Sequence, residues 1–191
     1  MKKTTVLLVC GVFAILAGCS PSREKTVSRI HGLEKQLFAP ESVSFDKEKA
    51  DTLLQLYAAF IKDHPQDTMS PGFLFKSANV MMNMGEGGKA VTLFDQYIQN
   101  YPDKPKAAIC MFFKAFVYEN VVHDLDRARE TYLQFMEKYP KNDFVKDAKL
   151  ALLNLGKSPD ALVREFEAKR HADSLRVADS LAKTAKPKKH K

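Results

Sequence analysis

Five histidines, three cysteines and 23 carboxylates are the residues of this 191-residue chain that could do chemistry. Their spacing argues against an enzyme. His31, His64, His123, His171 and His190 are isolated. No two stand at i and i+4, and none lies near a cysteine, so a zinc site has no ligand pair to start from. No serine occupies a Gly-flanked elbow that would present a nucleophile. Gly85-Glu86-Gly87-Gly88 lacks the Lys-Ser/Thr ending of a phosphate loop, and it follows a helical pattern, not a strand. The acid pairs Asp124/Asp126 and Glu165/Glu167 fall on polar helical faces, where solvated carboxylates are ordinary. Cys110, within the apolar run Ala107 to Phe113, reads as a small buried hydrophobe, and Met81, Met82 and Met84 read as gap fillers between helices. No catalytic residue, metal ligand or cofactor is expected.

Cys19 is different, because of what precedes it. Lys2 and Lys3 give a positive start, and Val6 to Ala17 is an apolar run of twelve broken only by Gly11. A bilayer-spanning helix takes about 20 apolar residues, so the run fits a signal peptide better than a permanent span. It ends Leu16-Ala17-Gly18-Cys19 before the polar Ser20-Pro21-Ser22-Arg23. A hydrophobe, two small residues and a cysteine resemble the bacterial lipobox. The resemblance implies cleavage before Cys19 and acylation of both its thiol and the new N-terminus. Acyl chains bury about 0.8 kcal/mol per methylene, so several of them attach a protein to a membrane durably. In that family an aspartate after the cysteine retains the protein at the inner membrane. Ser20 stands here instead, which implies the outer membrane. Ser20 to Lys25 lacks the acidic cluster of surface-exported relatives, which implies the periplasmic side. Cys10 falls in the removed segment.

Charge is segregated. Residues 170–191 hold seven lysines and arginines against two aspartates, whereas 20–169 holds 21 of each sign. The basic excess therefore belongs to the tail and not to the body. A nucleic-acid-binding domain would carry a basic stripe on the fold, so no nucleic-acid partner is expected.

The elements that must position any site come from a repeat. Leu53-x3-Tyr57-x2-Phe60-x4-Pro65, Ala90-x3-Phe94-x2-Tyr97-x4-Pro102 and Ala128-x3-Tyr132-x2-Phe135-x4-Pro140 superimpose, with prolines 37 and 38 residues apart. Offsets of 0, 4 and 7 share one helical face, and Ile61, Ile98 and Met136 widen it. His64, Tyr101 and Tyr139 precede the prolines and are pushed out of helical geometry. A second helical stretch precedes each of the later two segments: Phe73 to Met84 and Ala107 to Val122. Lys76 and Lys114 each stand 14 residues before the small residue of the next helix, which reads as a common register. Asp124 and Ser158 fit N-caps, the latter with Pro159 in the first turn. Further helices are expected around Val27 to Phe38, Val145 to Leu155 and after Pro159. Self-similarity at this period signals stacked supersecondary units.

The spacing Ala-x3-Phe-x2-large-x4-Pro, with Ala78 twelve residues before Ala90, resembles the tetratricopeptide repeat. The period is longer than that family's 34, its Trp is missing, and Phe60, Tyr97 and Phe135 replace a small residue. With the Tyr-Pro endings, these departures resemble the lipoprotein branch typified by the tetratricopeptide component of the outer-membrane protein assembly machine. The stretch Leu155 to Leu162 is similar to short envelope lipoproteins of bacteroidete type. The helical stretches count eight, in four antiparallel pairs with no sheet, and the resemblance implies that they stack as an all-α, right-handed solenoid. The expected divisions are 1–18 signal peptide, 19–24 lipidated linker, 25–166 repeat domain and 167–191 polar, Lys-rich extension.

First helices of such pairs line a concave surface. With Ala78 and Ala115 at the family's crossing position, Phe75, Asn79 and Asn83, and then Phe112, Phe116 and Asn120, fall on that face. They read either as a groove for a protein or peptide, or as core phenylalanines beside solvated amides. The tail lysines Lys183, Lys186, Lys188, Lys189 and Lys191 read either as a solvated extension or as a contact with an anionic surface such as a cell-wall polymer. The expected function is a non-catalytic, envelope-anchored adaptor held in the outer membrane by its lipid and facing the periplasm. The alternatives are an accessory factor in outer-membrane protein assembly or a cell-wall-binding protein using its tail.

Overall fold

A computed structural model describes residues 22–39 and 45–184. The expected signal peptide, Cys10, Cys19, Lys186, Lys188, Lys189 and Lys191 lie outside the described residues. Lys183 falls in the last turn of the final helix. Among the described residues there are eight α-helices and no strand: α1 Arg23–Leu37, α2 Lys47–Asp63, α3 Ser70–Asn83, α4 Gly87–Asn100, α5 Lys106–Val117, α6 Leu125–Lys138, α7 Val145–Asn154 and α8 Pro159–Thr184. A single π-helical turn, Tyr118–Val122, extends α5. From α1 to α7 each helix packs on the next, and α3 also touches α5. That is the layering of a tetratricopeptide-like solenoid.

The repeat positions make the core. Leu53, Ala90 and Ala128 are fully buried, as are Tyr57, Phe94 and Tyr132 four residues on and Phe60, Tyr97 and Phe135 seven residues on. Each second helix then ends in the same way. His64, Tyr101 and Tyr139 adopt φ/ψ of −131/58, −136/51 and −128/57, and each donates its backbone N–H to the residue four back. The proline that follows forbids helical geometry at these positions, so one chemical cause produces three superimposable stops.

The turns on the opposite edge differ, and the sequence explains each. Gly85 sits at φ 75 after α3. Gly85 N–H donates to the Met82 carbonyl at 3.1 Å and Glu86 N–H to the Met81 carbonyl at 2.9 Å, which together form a Schellman motif. Gly87 follows because a Cβ there would stand 2.8 Å from Val122 and 2.9 Å from Val121. After α5 the left-handed position is His123, at φ 60, and the helix ends in the π turn. Asp124 caps α6 by accepting from Arg127 N–H at 2.9 Å, and Ser158 Oγ accepts from Ala161 N–H at 3.2 Å.

The π turn accounts for the longer second period. The fully buried Ala78 and Ala115 are 37 residues apart, while the left-handed Gly85 and His123 are 38 apart. The extra residue therefore enters between Ala115 and His123, where a π turn absorbs one residue without breaking the helix. This corrects the register read from the lysines. Lys114 is the register mate of Ser77, not of Lys76, and the two lysines have unrelated partners. Lys76 pairs with Glu34 and Lys114 with Asp95, both at 2.7 Å.

The C-terminal end departs from four antiparallel pairs. Three pairs are complete, α1 with α2, α3 with α4 and α5 with α6, and α7 packs on α6. α8 does not fold back along α7. Ala161 and Leu162 are half-buried, and the described side chains from Val163 onward are exposed. With no Gly or Pro between residues 160 and 184 the helix runs on unbroken, through the expected boundary at 166/167. Its Ala-Asp-Ser-Leu repeat has a period of six, which does not build an apolar stripe, so α8 has no face to bury.

Candidate partner-binding groove

Between α5 and α7 lies an open cavity of about 270 Å³. Phe112, Phe116, Glu119 and Asn120 come from α5 and its π turn, Tyr132 from α6, and Asp147, Leu150, Ala151 and Asn154 from α7. A second cavity of about 630 Å³ continues it past the C-terminal ends of α5 and α7. The two share Glu119, Asn120 and Asn154, so these three residues form the ridge of one continuous groove.

The walls are apolar and the ridge is polar. Phe116 is 39% and Leu150 57% exposed, so both have apolar surface left to cover. Glu119 accepts a hydrogen bond from the Tyr132 hydroxyl at 2.9 Å, which fixes its carboxylate on that ridge. Asn120 Nδ2 donates to the Phe116 carbonyl at 3.1 Å, leaving its second N–H and its carbonyl for another group. In the second cavity Lys157 is paired with Glu165 at 2.7 Å. The first cavity has two carboxylates, Glu119 and Asp147, and no basic residue in its lining.

Of the six groove residues read from the sequence, the structure brings Phe112, Phe116 and Asn120 together. Phe112 contributes only an edge. It is 8% exposed, with ring centroids of Phe144, Tyr132 and Phe135 at 4.9, 5.7 and 5.7 Å. The other three lie on α3, away from this cavity. Phe75 is half-buried between Tyr97 and Phe113, both at 6.3 Å, with Lys106 Nζ 4.3 Å from its ring centre. Phe75 is thus a packing residue. Asn79 is half-buried and donates to the Phe75 carbonyl at 2.7 Å, and Asn83 is exposed.

The residues missed by sequence reasoning are mainly those of α7, and the proline offset would have found two of them. Leu150 stands ten residues after Pro140, as Phe75 and Phe112 stand ten after Pro65 and Pro102. Asn154 stands fourteen after its proline, as Asn79 and Phe116 do.

Among the described residues no group of three His, Cys, Asp or Glu could hold an ion. Cys110 is fully buried, and burial pushes its thiol up to about 12, so it carries no thiolate at neutral pH. What the groove offers is apolar area, the amides of Asn120 and Asn154, and the carboxylates of Glu119 and Asp147.

Residues 73–104, covering α3 from its second turn through α4 and the following turn, match the family model of the tetratricopeptide repeat. The chain therefore contains a repeat of that kind. No curated protein matches the sequence.

Proposed function

We propose that the chain is a lipid-anchored, non-catalytic adaptor that grips an extended segment of a partner protein in the groove between α5 and α7. The observation that carries this is the convergence of Asn120 and Asn154 on one ridge flanked by Phe116 and Leu150. Side-chain amides can pair with the backbone of an extended peptide, and partly exposed apolar walls supply anchors. The tetratricopeptide repeat supports a protein partner. The lipobox-like sequence ending at Cys19 supports the anchor, and Ser20 after it supports the outer membrane, facing the periplasm. The departures from the 34-residue period, with the Tyr-Pro endings, favour service in outer-membrane protein assembly as the setting.

Two experiments test the halves separately. Fatty-acid labelling of the wild type and of Cys19→Ala tests the anchor: label should be present on the first and absent from the second. A photo-crosslinker placed at Leu150 should capture the same partner as one at Phe116, and Asn120→Ala with Asn154→Ala should abolish both adducts. A crosslinker at Leu133, exposed on α6, should not capture that partner. Adducts that survive the double amide variant would rule out the groove as the gripping site.

A further inference from the structure

The N-terminal helix is clamped at its first residue. Arg23 Nε donates to Asp67 Oδ2 at 2.6 Å and Arg23 Nη2 to Asp67 Oδ1 at 3.2 Å, a bidentate pair. The same guanidinium stands 6.0 Å from the Phe60 ring centre. Asp67 is itself held, accepting from Met69 N–H at 2.8 Å, in a turn where Ser70 Oγ donates to the His64 carbonyl at 2.6 Å. The start of α1 and the turn of residues 64–69 therefore make one rigid corner of the solenoid.

Arg23 is four residues from Cys19. Whatever conformation those residues take, a chain spans at most about 3.6 Å per residue, so the backbone of Arg23 lies within about 14 Å of that of the cysteine. A helix the length of α2 spans about 25 Å, so the reach of the tether is shorter than the thickness of the body it holds. α3, α5 and α7 start at the edge that carries this corner and end at the far edge, because neighbouring helices run antiparallel through short turns. Asn120, Asn154 and Lys157 lie at those far ends.

We infer that the corner formed by the α1 N-terminus and the 64–69 turn is the face of the protein held against the phospholipid surface, and that the ridge of the groove opens on the opposite corner, toward solvent. This rests on the reading of Cys19 as the acylated residue. The contact is imposed by the tether and not by charge. At the corner Arg23, Lys25 and Lys62 are matched by Glu24, Asp63 and Asp67. The partner would thus approach from the aqueous side and not through the bilayer.

The experiment uses the full-length mature protein, purified from membranes and reconstituted into phosphatidylcholine vesicles carrying a headgroup-attached spin-label quencher. A fluorophore is placed on Gln66→Cys at the corner or on Lys157→Cys at the far end. Buried Cys110 is left in place, since it does not react while folded. Mass measurement of the same preparation reports the acyl groups on Cys19. The Gln66 label should be quenched several-fold more strongly than the Lys157 label, unchanged by 0.5 M salt or by adding anionic lipid. A 20-residue Gly-Ser insert after Ser22 adds roughly 25 Å of flexible reach and should erase the difference. Equal or reversed quenching on acylated protein overturns the orientation while leaving the anchor intact. A difference that survives the insert, or that requires anionic lipid, overturns the tether as its cause. A mature chain without acyl groups overturns the anchor and the inference with it.

Discussion

The hydroxyl of Tyr132 donates to a carboxylate oxygen of Glu119 at 2.9 Å, and the hydroxyl of Tyr57 does the same to Glu34 at 2.5 Å. The two tyrosines occupy the same repeat position, and each bond joins the second helix of a pair to the first. The middle repeat has Phe94 there and needs no acceptor. Burying a tyrosine hydroxyl without a partner is costly, and at these two positions a glutamate on the facing helix supplies one. The two glutamates then diverge. Glu34 also accepts from Lys76 at 2.7 Å, whereas Glu119 lines the groove. In the last pair the packing device also faces an open groove.

This device predicts an alkaline limit to stability. Burial first, and then the hydrogen bond and charge of the facing glutamate, raise the pKa of both Tyr57 and Tyr132. Burial likewise pushes Tyr97 up to about 12. The folded state holds these protons more tightly than the unfolded chain, which releases them near pH 10. Their contribution is therefore complete below about pH 10 and is lost as pH rises beyond it, by up to about 1.4 kcal/mol per pH unit for each tyrosine. Urea unfolding at pH 8, 10 and 11 should show a flat stretch and then a fall. Tyr132→Phe should cost about 1 kcal/mol at pH 8 and make the later fall shallower. A variant with the wild-type alkaline slope would show that Tyr132 is not held in this way.

The two glycines that open α4 give a paired test of close packing. A Cβ at Gly87 would meet Val122 Cγ2 at 2.8 Å and Val121 Cγ1 at 2.9 Å, and these β-branched side chains have little rotamer freedom to give way. At Gly88 a Cβ meets nothing within 4 Å. Gly87→Ala should destabilise by about 1–3 kcal/mol through overpacking. Gly88→Ala should be neutral or stabilise by about 0.4–1 kcal/mol, because it restricts the unfolded chain at no cost in the folded one. Equal thermal midpoints for the two variants would mean that α4 does not approach the π turn this closely.

Much of this architecture was legible in three prolines and the nine apolar residues before them. Ala90-Phe94-Tyr97-Pro102 and its two copies set helix face, helix end and period at once, because a pre-proline residue and a 0/4/7 stripe each leave one local solution. The groove was legible only in part. Phe75 and Phe112, each three residues before the crossing alanine, read equally as groove or as core residues. Position along the repeat does not say whether a ring meets solvent or, like Phe75, packs between Tyr97 and Phe113 under a lysine. Glu119 was invisible because it lies in the π turn, where an extra residue breaks the helical count. A polar tail helix was legible, since Ser158-Pro159 gives a start signal and the six-residue period of the tail builds no apolar stripe; what was missed is that this one helix runs on unbroken and does not complete a fourth antiparallel pair with α7.

Ala90 tests the register of the repeat itself. It is fully buried in α4, in the same core as fully buried Ala78 of α3. Leu53, at the same repeat position, is also fully buried, so the α1–α2 crossing leaves room for a large side chain where the α3–α4 crossing has only a methyl group. Ala90→Leu should cost about 1–3 kcal/mol. Ala161→Leu, half-buried on α8, should move the thermal midpoint little. If Ala90→Leu melts with the wild type, the crossing is looser than its burial indicates.

The last helix separates secondary structure from tertiary stability. From Val163 to Leu181 its side chains are exposed, and within 170–191 seven basic residues face two acidic ones. A helix with no buried face is held by propensity alone, without the tertiary packing that supplies most helical stability in proteins. Removing residues 167–191 should therefore lower the helical circular-dichroism signal while leaving the thermal midpoint of the repeat domain in place. Removing only 183–191 deletes five lysines and should leave both signals nearly unchanged. The shorter deletion isolates the charge. If the lysines meet an anionic polymer or lipid, binding of the chain without its anchor to anionic vesicles or isolated cell wall should fall on their removal. In the intact chain it should weaken as salt rises, because charges are screened over about 8 Å at physiological ionic strength. Binding that is unchanged by the deletion would identify the lysines as a solvating extension, and a drop in thermal midpoint after the longer deletion would mean that α8 supports the solenoid after all.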